Sequence, residues 1–174
     1  AYLTWMYDHT TTSRLHIFTQ SREQQDLLYS QGIDPMGVFK KVGDVDSNGY
    51  ARDVCVEGCG LADLSLDIGT PMPLAEQSVN YLTLRLVGLS GWNGHIMELY
   101  SFDSMLPDEI VLGEQGCTTL ALEGINEQLA AGQDVSISQR CDITVATAGE
   151  GDLPLQGTIE ATARYRYGNS FVSP

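Results

Sequence analysis

The segment near the carboxyl end of this chain has the longest regular alternation in the sequence, and it limits the available folds most strongly. Apolar residues occupy every second position from Ile159 to Tyr167, while polar or charged residues occupy the intervening positions from Thr158 to Arg166. Successive side chains of a β-strand point to opposite faces of a sheet, so this period of two predicts a long strand with one buried face. Burying that face requires a second apolar layer, which favours a β-rich fold.

Shorter segments of the same kind recur along the chain. Alternation or β-favouring composition predicts strands at residues 1–7, 14–18, 64–68, 82–86, 96–102, 135–138 and 143–145. A polar Thr-rich turn is expected at 8–13. One short helix is predicted at 21–30, because Ser21 and Gln24 have capping-box spacing and Gly32 follows as a stop.

Two further regions carry weaker patterns. Residues 33–48 are loop-like, and residues 120–131 fit either a short helix or part of a glycine-interrupted hairpin. The length of 174 residues suits a single domain. Together the patterns predict one mostly β domain over residues 1–174, an antiparallel β-sandwich of immunoglobulin-like or jelly-roll-like type with one short helix and long loops.

The cysteines indicate the compartment. The chain has four, Cys55, Cys59, Cys117 and Cys141. An even number at this chain length favours two disulfides in a secreted or cell-surface protein, and the local pairing Cys55–Cys59 with Cys117–Cys141 is the simplest of the three connectivities. Free thiols and a zinc site are the alternatives, although the spacing lacks the paired knuckles typical of zinc. The opening at Ala1, without a basic and then apolar leader, is what we expect of a mature exported protein.

Charge and hydropathy exclude several classes of partner. The formal net charge is −14. A field of this sign repels phosphate backbones, so we expect no nucleic-acid partner. No apolar run approaches the length of about 20 residues that a membrane-spanning helix needs, so no membrane span is expected.

One segment resembles the beginning of a calcium-binding loop. Asp44, Asp46 and Asn48 alternate before a glycine, and the carbonyl of Tyr50 would be the next ligand. These residues are the candidate metal ligands, and calcium is the only candidate cofactor. The alternative is an Asp/Asn/Gly turn stabilised by hydrogen bonds from the backbone to its side chains.

A second candidate site is a glycine-rich segment containing Trp92, Asn93 and His95. An exposed tryptophan beside amide and imidazole groups is suited to stacking on and hydrogen-bonding a glycan, whereas a packing tryptophan is the plainer interpretation. The sequence has neither a nucleophile elbow nor a phosphate-binding loop, so no catalytic residue is assigned and an enzyme is not expected. A hydrolase whose carboxylates meet only in the folded structure is the remaining enzymatic alternative.

The segment from Gly157 to Tyr167, in which Ala and Thr alternate with other residues before closing tyrosines, resembles the final strand of bacterial chaperone–usher pilus subunits. The resemblance implies an immunoglobulin-like sandwich completed by a strand from a neighbouring subunit. Residues 1–7 are then a candidate donor or exchange strand. The assembly residues it implies are Leu3, Trp5, Tyr7, Ile159, Ala161, Ala163 and Tyr165.

The leading hypothesis is therefore an extracellular structural or adhesive subunit of a pilus or surface filament. Such a subunit would self-associate by strand addition into a homo-oligomer or filament. A secreted carbohydrate-binding module, with or without calcium, is the alternative.

Overall fold

A computed structural model of the chain describes residues 2–89, 94–134 and 136–172. Nine strands and three helices follow one another in this part of the chain. They are β1 (Tyr2–Gln20), α1 (Arg22–Ser30), α2 (Gly37–Val42), β2 (Asp53–Glu57), β3 (Ala62–Ile68), β4 (Leu74–Ala75), β5 (Val79–Gly88), β6 (His95–Met105), β7 (Ile110–Cys117), α3 (Leu122–Ala130), β8 (Ile137–Val145) and β9 (Leu155–Val172).

The strands form two sheets, which confirms the predicted mostly β antiparallel sandwich. One sheet has the order β2-β1-β9-β6, with the short β4 parallel to the end of β1, and the other has the order β3-β5-β8-β7. β1 and β9 pair antiparallel along their whole length, from Tyr2 opposite Val172 to Thr19 opposite Leu155. The first and last strands of the described residues therefore lie side by side in one sheet.

The core lies between the sheets and is built from the alternating residues of their strands. The apolar positions that alternate in β3, β5 and β9 are buried, and they form one cluster with the inward residues of β1, β6 and β8. Ile159, Ala161 and Ala163 are completely buried within it. The long alternation of the final strand thus marks the centre of the fold.

The prediction of a turn at 8–13 is wrong, because β1 continues through this segment without interruption. The hydroxyl side chains of Thr11, Thr12 and Ser13 are buried and have hydrogen-bond partners inside the structure. Thr11 Oγ1 lies 2.8 Å from the Tyr165 hydroxyl, and Ser13 Oγ donates to the carbonyl oxygen of Val54 at 3.2 Å. The polar segment 8–13, whose composition favours a turn, is therefore stable as a strand because its buried hydroxyl groups form hydrogen bonds within the folded protein.

The predicted helix at 21–30 is confirmed as α1, with the Ser21 hydroxyl accepting a hydrogen bond from the Gln24 amide. Two more helices are present. α3 resolves the open alternative at 120–131 in favour of a helix. α2 lies where a loop was expected; the Asp34 carboxylate accepts from the Met36 amide and pairs with Lys40 at 2.6 Å, and Gly43 ends the helix in the left-handed region.

The cysteines form the predicted local pairs, Cys55–Cys59 and Cys117–Cys141. The first closes a small loop after β2, and the second ties the end of β7 to β8. These two disulfides are compatible with an oxidising, extracellular compartment. Among the helices of the described residues, none is long and apolar enough to cross a membrane.

Candidate functional site

One margin of β1 has no strand beside it over most of the first half of the strand. On the side away from β9, β1 pairs with β2 only at Thr12–Leu15 and with β4 only at Thr19–Gln20. No strand of the described residues pairs with residues 2–9 on that side. We call this margin, residues 2–9 of β1, the open edge. At about 3.3 Å per residue it is roughly 26 Å long.

The backbone groups that face the open edge are those of the even-numbered residues. Gly58 lies directly against the carbonyl oxygen of Thr10 on this side of β1. The N–H and C=O groups of alternate residues in a strand point to the same side, so those of Met6 and Asp8 also point toward the open edge.

The opposite side of the sheet supports this assignment independently. The Asn126 side chain accepts from the Leu99 amide at 2.7 Å and donates to the Leu99 carbonyl at 3.0 Å. The N–H and C=O groups of Leu99 therefore point away from β9. Tyr165, which lies opposite Leu99 in β9, must then point its own N–H and C=O groups toward β1, where its partner is His9. Odd-numbered residues of β1 thus pair with β9, which leaves the even-numbered ones outward.

Parts of other strand margins in the described structure are occupied by side chains or are irregular. The Asn126 amide occupies part of the outer margin of β6. The Asp53 carboxylate accepts from the Leu66 amide at 3.0 Å and so connects β2 to the margin of β3. β7 is irregular between Leu112 and Cys117 and ends in a disulfide. Bulges and covering side chains are the usual means of preventing sheets from pairing with other chains, and no bulge interrupts the described pairing of residues 2–9 with β9.

The inward face beside the open edge carries an aromatic cluster. It consists of Trp5, Tyr7, His9, Tyr165 and Tyr167. Trp5 stacks on Tyr7 with ring centroids 5.7 Å apart, and Tyr7 lies 6.2 Å from Tyr167. Tyr165 and Tyr167 are completely buried, whereas Tyr7 is 41% exposed. The cluster is therefore solvent-accessible on the side that belongs to β1.

The two buried tyrosines of the cluster differ in their hydroxyl groups. The Tyr165 hydroxyl lies 2.8 Å from Thr11 Oγ1, but the Tyr167 hydroxyl has no hydrogen-bond partner among the described residues. Burial raises the pKa of both phenols above the ordinary value of 10.0. Because the raised pKa reflects a preference for the neutral phenol, the associated stability is complete below pH 10.0 and is lost as the pH rises through the raised values.

We expect Tyr165→Phe to lower the free energy of unfolding by about 1 kcal/mol, because it removes a buried hydrogen bond and leaves the Thr11 hydroxyl with one partner fewer. Tyr167→Phe is its matched control and should not lower the free energy of unfolding, since the hydroxyl it removes is buried without a partner among the described residues. Urea unfolding at neutral pH measures both. A larger loss for Tyr167→Phe would contradict this account of the cluster.

The opposite face beside the open edge carries paired charges. Asp8 accepts hydrogen bonds from the Tyr100 hydroxyl at 2.8 Å and from Arg166 Nε at 3.0 Å, and Arg166 also lies 3.6 Å from Glu98. The bond from Tyr100, followed by that from Arg166, lowers the pKa of Asp8 below its usual value. Arg14 and Glu160 form a second ion pair on the same face, at 2.7 Å. In a chain of net charge −14, these contacts pair Asp8 and Glu160 locally with arginines on this face.

The residues that the sequence assigns to assembly fall into two groups. The structure brings Trp5, Tyr7 and Tyr165 together in the aromatic cluster, and the Leu3 backbone pairs with that of Phe171. Ile159, Ala161 and Ala163 contribute to the core instead. β9 lies between β1 and β6 over residues 160–168, so it offers no margin to an added strand there.

Two residues of the site, His9 and Gly58, were not singled out by the sequence. His9 Nε2 lies 3.2 Å from the Gly58 carbonyl oxygen, which also accepts from Thr11 Oγ1 at 3.0 Å. Gly58 has a φ of 66°. These contacts place the small Cys55–Cys59 loop at the end of the open edge. Only the position of Gly58 inside a short disulfide loop was a signal that it occupies a tight place.

The candidate calcium loop has the contacts of a self-contained turn. Asp46 Oδ1 accepts from the amides of Asn48 and Tyr50, at 2.8 and 2.9 Å, and the Tyr50 carbonyl accepts from the Asp46 amide. Two of the candidate ligands thus already serve the turn. No group of three or more His, Cys, Asp or Glu side chains among the described residues is arranged to hold a metal. Calcium binding by this loop stays a prediction.

The candidate glycan site is described only in part. Trp92 and Asn93 lie outside the described residues. His95 begins β6 and, with Gly94 and Leu129, lines a cavity of about 390 Å³ near the end of α3. Glycan binding at this place also stays a prediction.

Comparison with known proteins gives no relative: no protein-family model matches the sequence, and neither curated proteins nor solved structures give a significant match.

Proposed function

We propose that this protein is a non-enzymatic, extracellular structural or adhesive subunit of a pilus or surface filament that assembles by strand addition at the open edge. The observation that carries the proposal is the open edge itself. Along residues 2–9 the even-numbered residues turn their backbone groups outward, and no strand of the described residues pairs with them on the side away from β9. A strand margin of this kind is a template for pairing with another chain.

The surroundings of the open edge favour an ordered partner over random aggregation. An added strand would align its side chains with the aromatic cluster on one face and with the paired charges of Asp8 and Arg166 on the other. Aromatic and charged cross-strand pairs each contribute about 0.2–1 kcal/mol, and these pairs depend on the register of the added strand. The Cys55–Cys59 disulfide closes the small loop that lies at the end of the open edge and contacts His9 and Thr11 there.

Met6→Pro is expected to reduce self-association at least about tenfold, because proline removes an amide donor that faces the open edge and places its ring there. The intrachain ladder stays intact, since the Met6 backbone groups do not face β9. Met6→Ala is the matched control: it removes the same side chain, keeps the amide and should assemble like the parent protein. Sedimentation velocity and negative-stain electron microscopy measure the outcome.

Assembly of Met6→Pro and Met6→Ala to the same extent would overturn the proposal, provided that circular dichroism shows both variants folded. A point substitution is a sharper test than deletion of residues 1–7, because Trp5 and Tyr7 pack on Tyr167 within the same chain. Deletion would expose that buried ring and damage the monomer.

A further inference from the structure

We infer that the strand added at the open edge is the same segment of a second copy of this chain, running antiparallel about a two-fold axis beside Trp5. The inference rests on the proposed function, and it specifies the partner and the register. In this register Trp5 faces Trp5 of the second copy, Met6 faces its position 4, and Asp8 faces its position 2.

The position of Gly58 limits the register on one side. Gly58 lies against the Thr10 carbonyl and closes the open edge there. A register moved two residues further along β1 would place position 2 of the second copy opposite Thr10, where the Cys55–Cys59 loop already lies. A register moved two residues the other way pairs fewer of the outward backbone groups of residues 2–9 with one another.

Backbone direction excludes the registers between these. Outward N–H and C=O groups belong to even-numbered residues, so an antiparallel partner must bring its own even-numbered residues opposite them. A shift of one residue would place outward groups against groups that already pair with β9. In the inferred register, positions 2, 4, 6 and 8 of both copies pair, which gives about eight interchain hydrogen bonds, two for each pair.

The aromatic cluster is continuous across this axis. Trp5 directs its backbone groups toward β9, so the two copies of Trp5 form a non-hydrogen-bonded pair, with Cα atoms about 4.5 Å apart. Aromatic pairs are favoured at such positions. Trp5 already stacks on Tyr7 at 5.7 Å, so the pair would join two half-exposed clusters into one.

Electrostatics also favours this margin for contact between identical chains. Two copies of net charge −14 repel at most surfaces, but Asp8 is paired with Arg166 and Tyr100 beside the open edge. In the inferred register the two Asp8 residues lie six positions apart along the paired strands. That separation of about 20 Å exceeds the Debye length of about 8 Å at physiological salt.

Disulfide trapping tests this register. All four native cysteines are already in disulfides, so an introduced cysteine is the only free thiol. Mild oxidation of Trp5→Cys should give a covalent dimer on a non-reducing gel, because its Cα separation lies within the range for a disulfide. Met6→Cys is the control: its two copies would be offset by two residues, more than about 7 Å apart, and should cross-link at least tenfold more slowly.

A second measurement keeps Trp5 in place. Oxidising an equal mixture of Thr4→Cys and Met6→Cys should produce the mixed dimer, whereas either variant alone should produce little. Dominant Met6→Cys homodimers would overturn the register. If Met6→Pro abolishes assembly while neither Trp5→Cys nor the mixture cross-links, a different partner occupies the open edge and only this inference fails. If Met6→Pro self-associates to the same extent as the parent protein, the proposed function itself fails.

Discussion

Gly58→Ala is expected to lower the free energy of unfolding by about 3 kcal/mol or more, a large fraction of the stability of a domain of this size. Two costs combine at this position. Gly58 has a φ of 66°, where residues with a Cβ atom are strained by about 1–2 kcal/mol. A Cβ there would also overlap the Thr10 carbonyl oxygen and its carbon, and these are backbone atoms that cannot rotate away.

Gly32→Ala separates the two costs. Gly32 has a similar φ of 73°, but a Cβ at this position would meet no atom within 4 Å. The Gly32 variant should therefore lose only the backbone term, about 1–2 kcal/mol. Urea unfolding followed by circular dichroism compares the two variants. Equal losses of unfolding free energy in the two variants would show that the Cys55–Cys59 loop moves to accommodate the Cβ atom. The loop would then not close the open edge firmly.

Removing the Cys117–Cys141 disulfide with paired alanines is expected to cost about 3 kcal/mol, and removing Cys55–Cys59 in the same way about 2 kcal/mol. The difference follows from the sequence separations of 24 and 4, since a longer cross-linked loop restricts the unfolded chain more. Cys141 is also completely buried, so its sulfur contributes to core packing.

Urea unfolding of the two double variants checks which loss of unfolding free energy is larger. The measurement needs both the denaturation midpoint and the slope of the transition. A larger loss from the Cys55–Cys59 pair would contradict it. Such a result would mean that the small loop stabilises the native state directly, through the contacts of Gly58 with His9 and Thr11.

The fold was predictable wherever burial alternates along a single strand. The pattern from Thr158 to Arg166 identifies β9 because every inward residue there lies in the core. The 8–13 segment was mispredicted as a turn because its burial depends on residues far away in the sequence. Thr11 is buried against Tyr165 and the Cys55–Cys59 loop, which are remote from it in sequence. Likewise, residues 137–138 of the predicted strand at 135–138 and the predicted strand at 143–145 belong to a single strand, β8, which spans the polar residues between them, whereas Val135 lies outside the described residues.

The sequence predicts which side chains share a face at the candidate site, but it does not predict that one side of the strand is open. Alternation places Trp5 and Tyr7 on one face of the first strand and Tyr165 on one face of the last. It does not show that β2 pairs with β1 only from Thr12 onward, which leaves residues 2–9 without a strand of the described residues on the side away from β9. The absence of a strand on that side depends on the topology of the whole sheet, for which no local sequence pattern exists.

The Asn126 amide that occupies the outer margin of β6 has a consequence for how far any assembly can grow. It satisfies the amide and carbonyl of Leu99 as a neighbouring strand would, so an added strand cannot use these two groups on the side of β6 away from β9. Pairing about the inferred two-fold axis uses the open edge of both copies at once. A filament of many copies therefore requires a second kind of contact besides strand addition at the open edge, and Asn126 limits where on β6 that contact can be another strand.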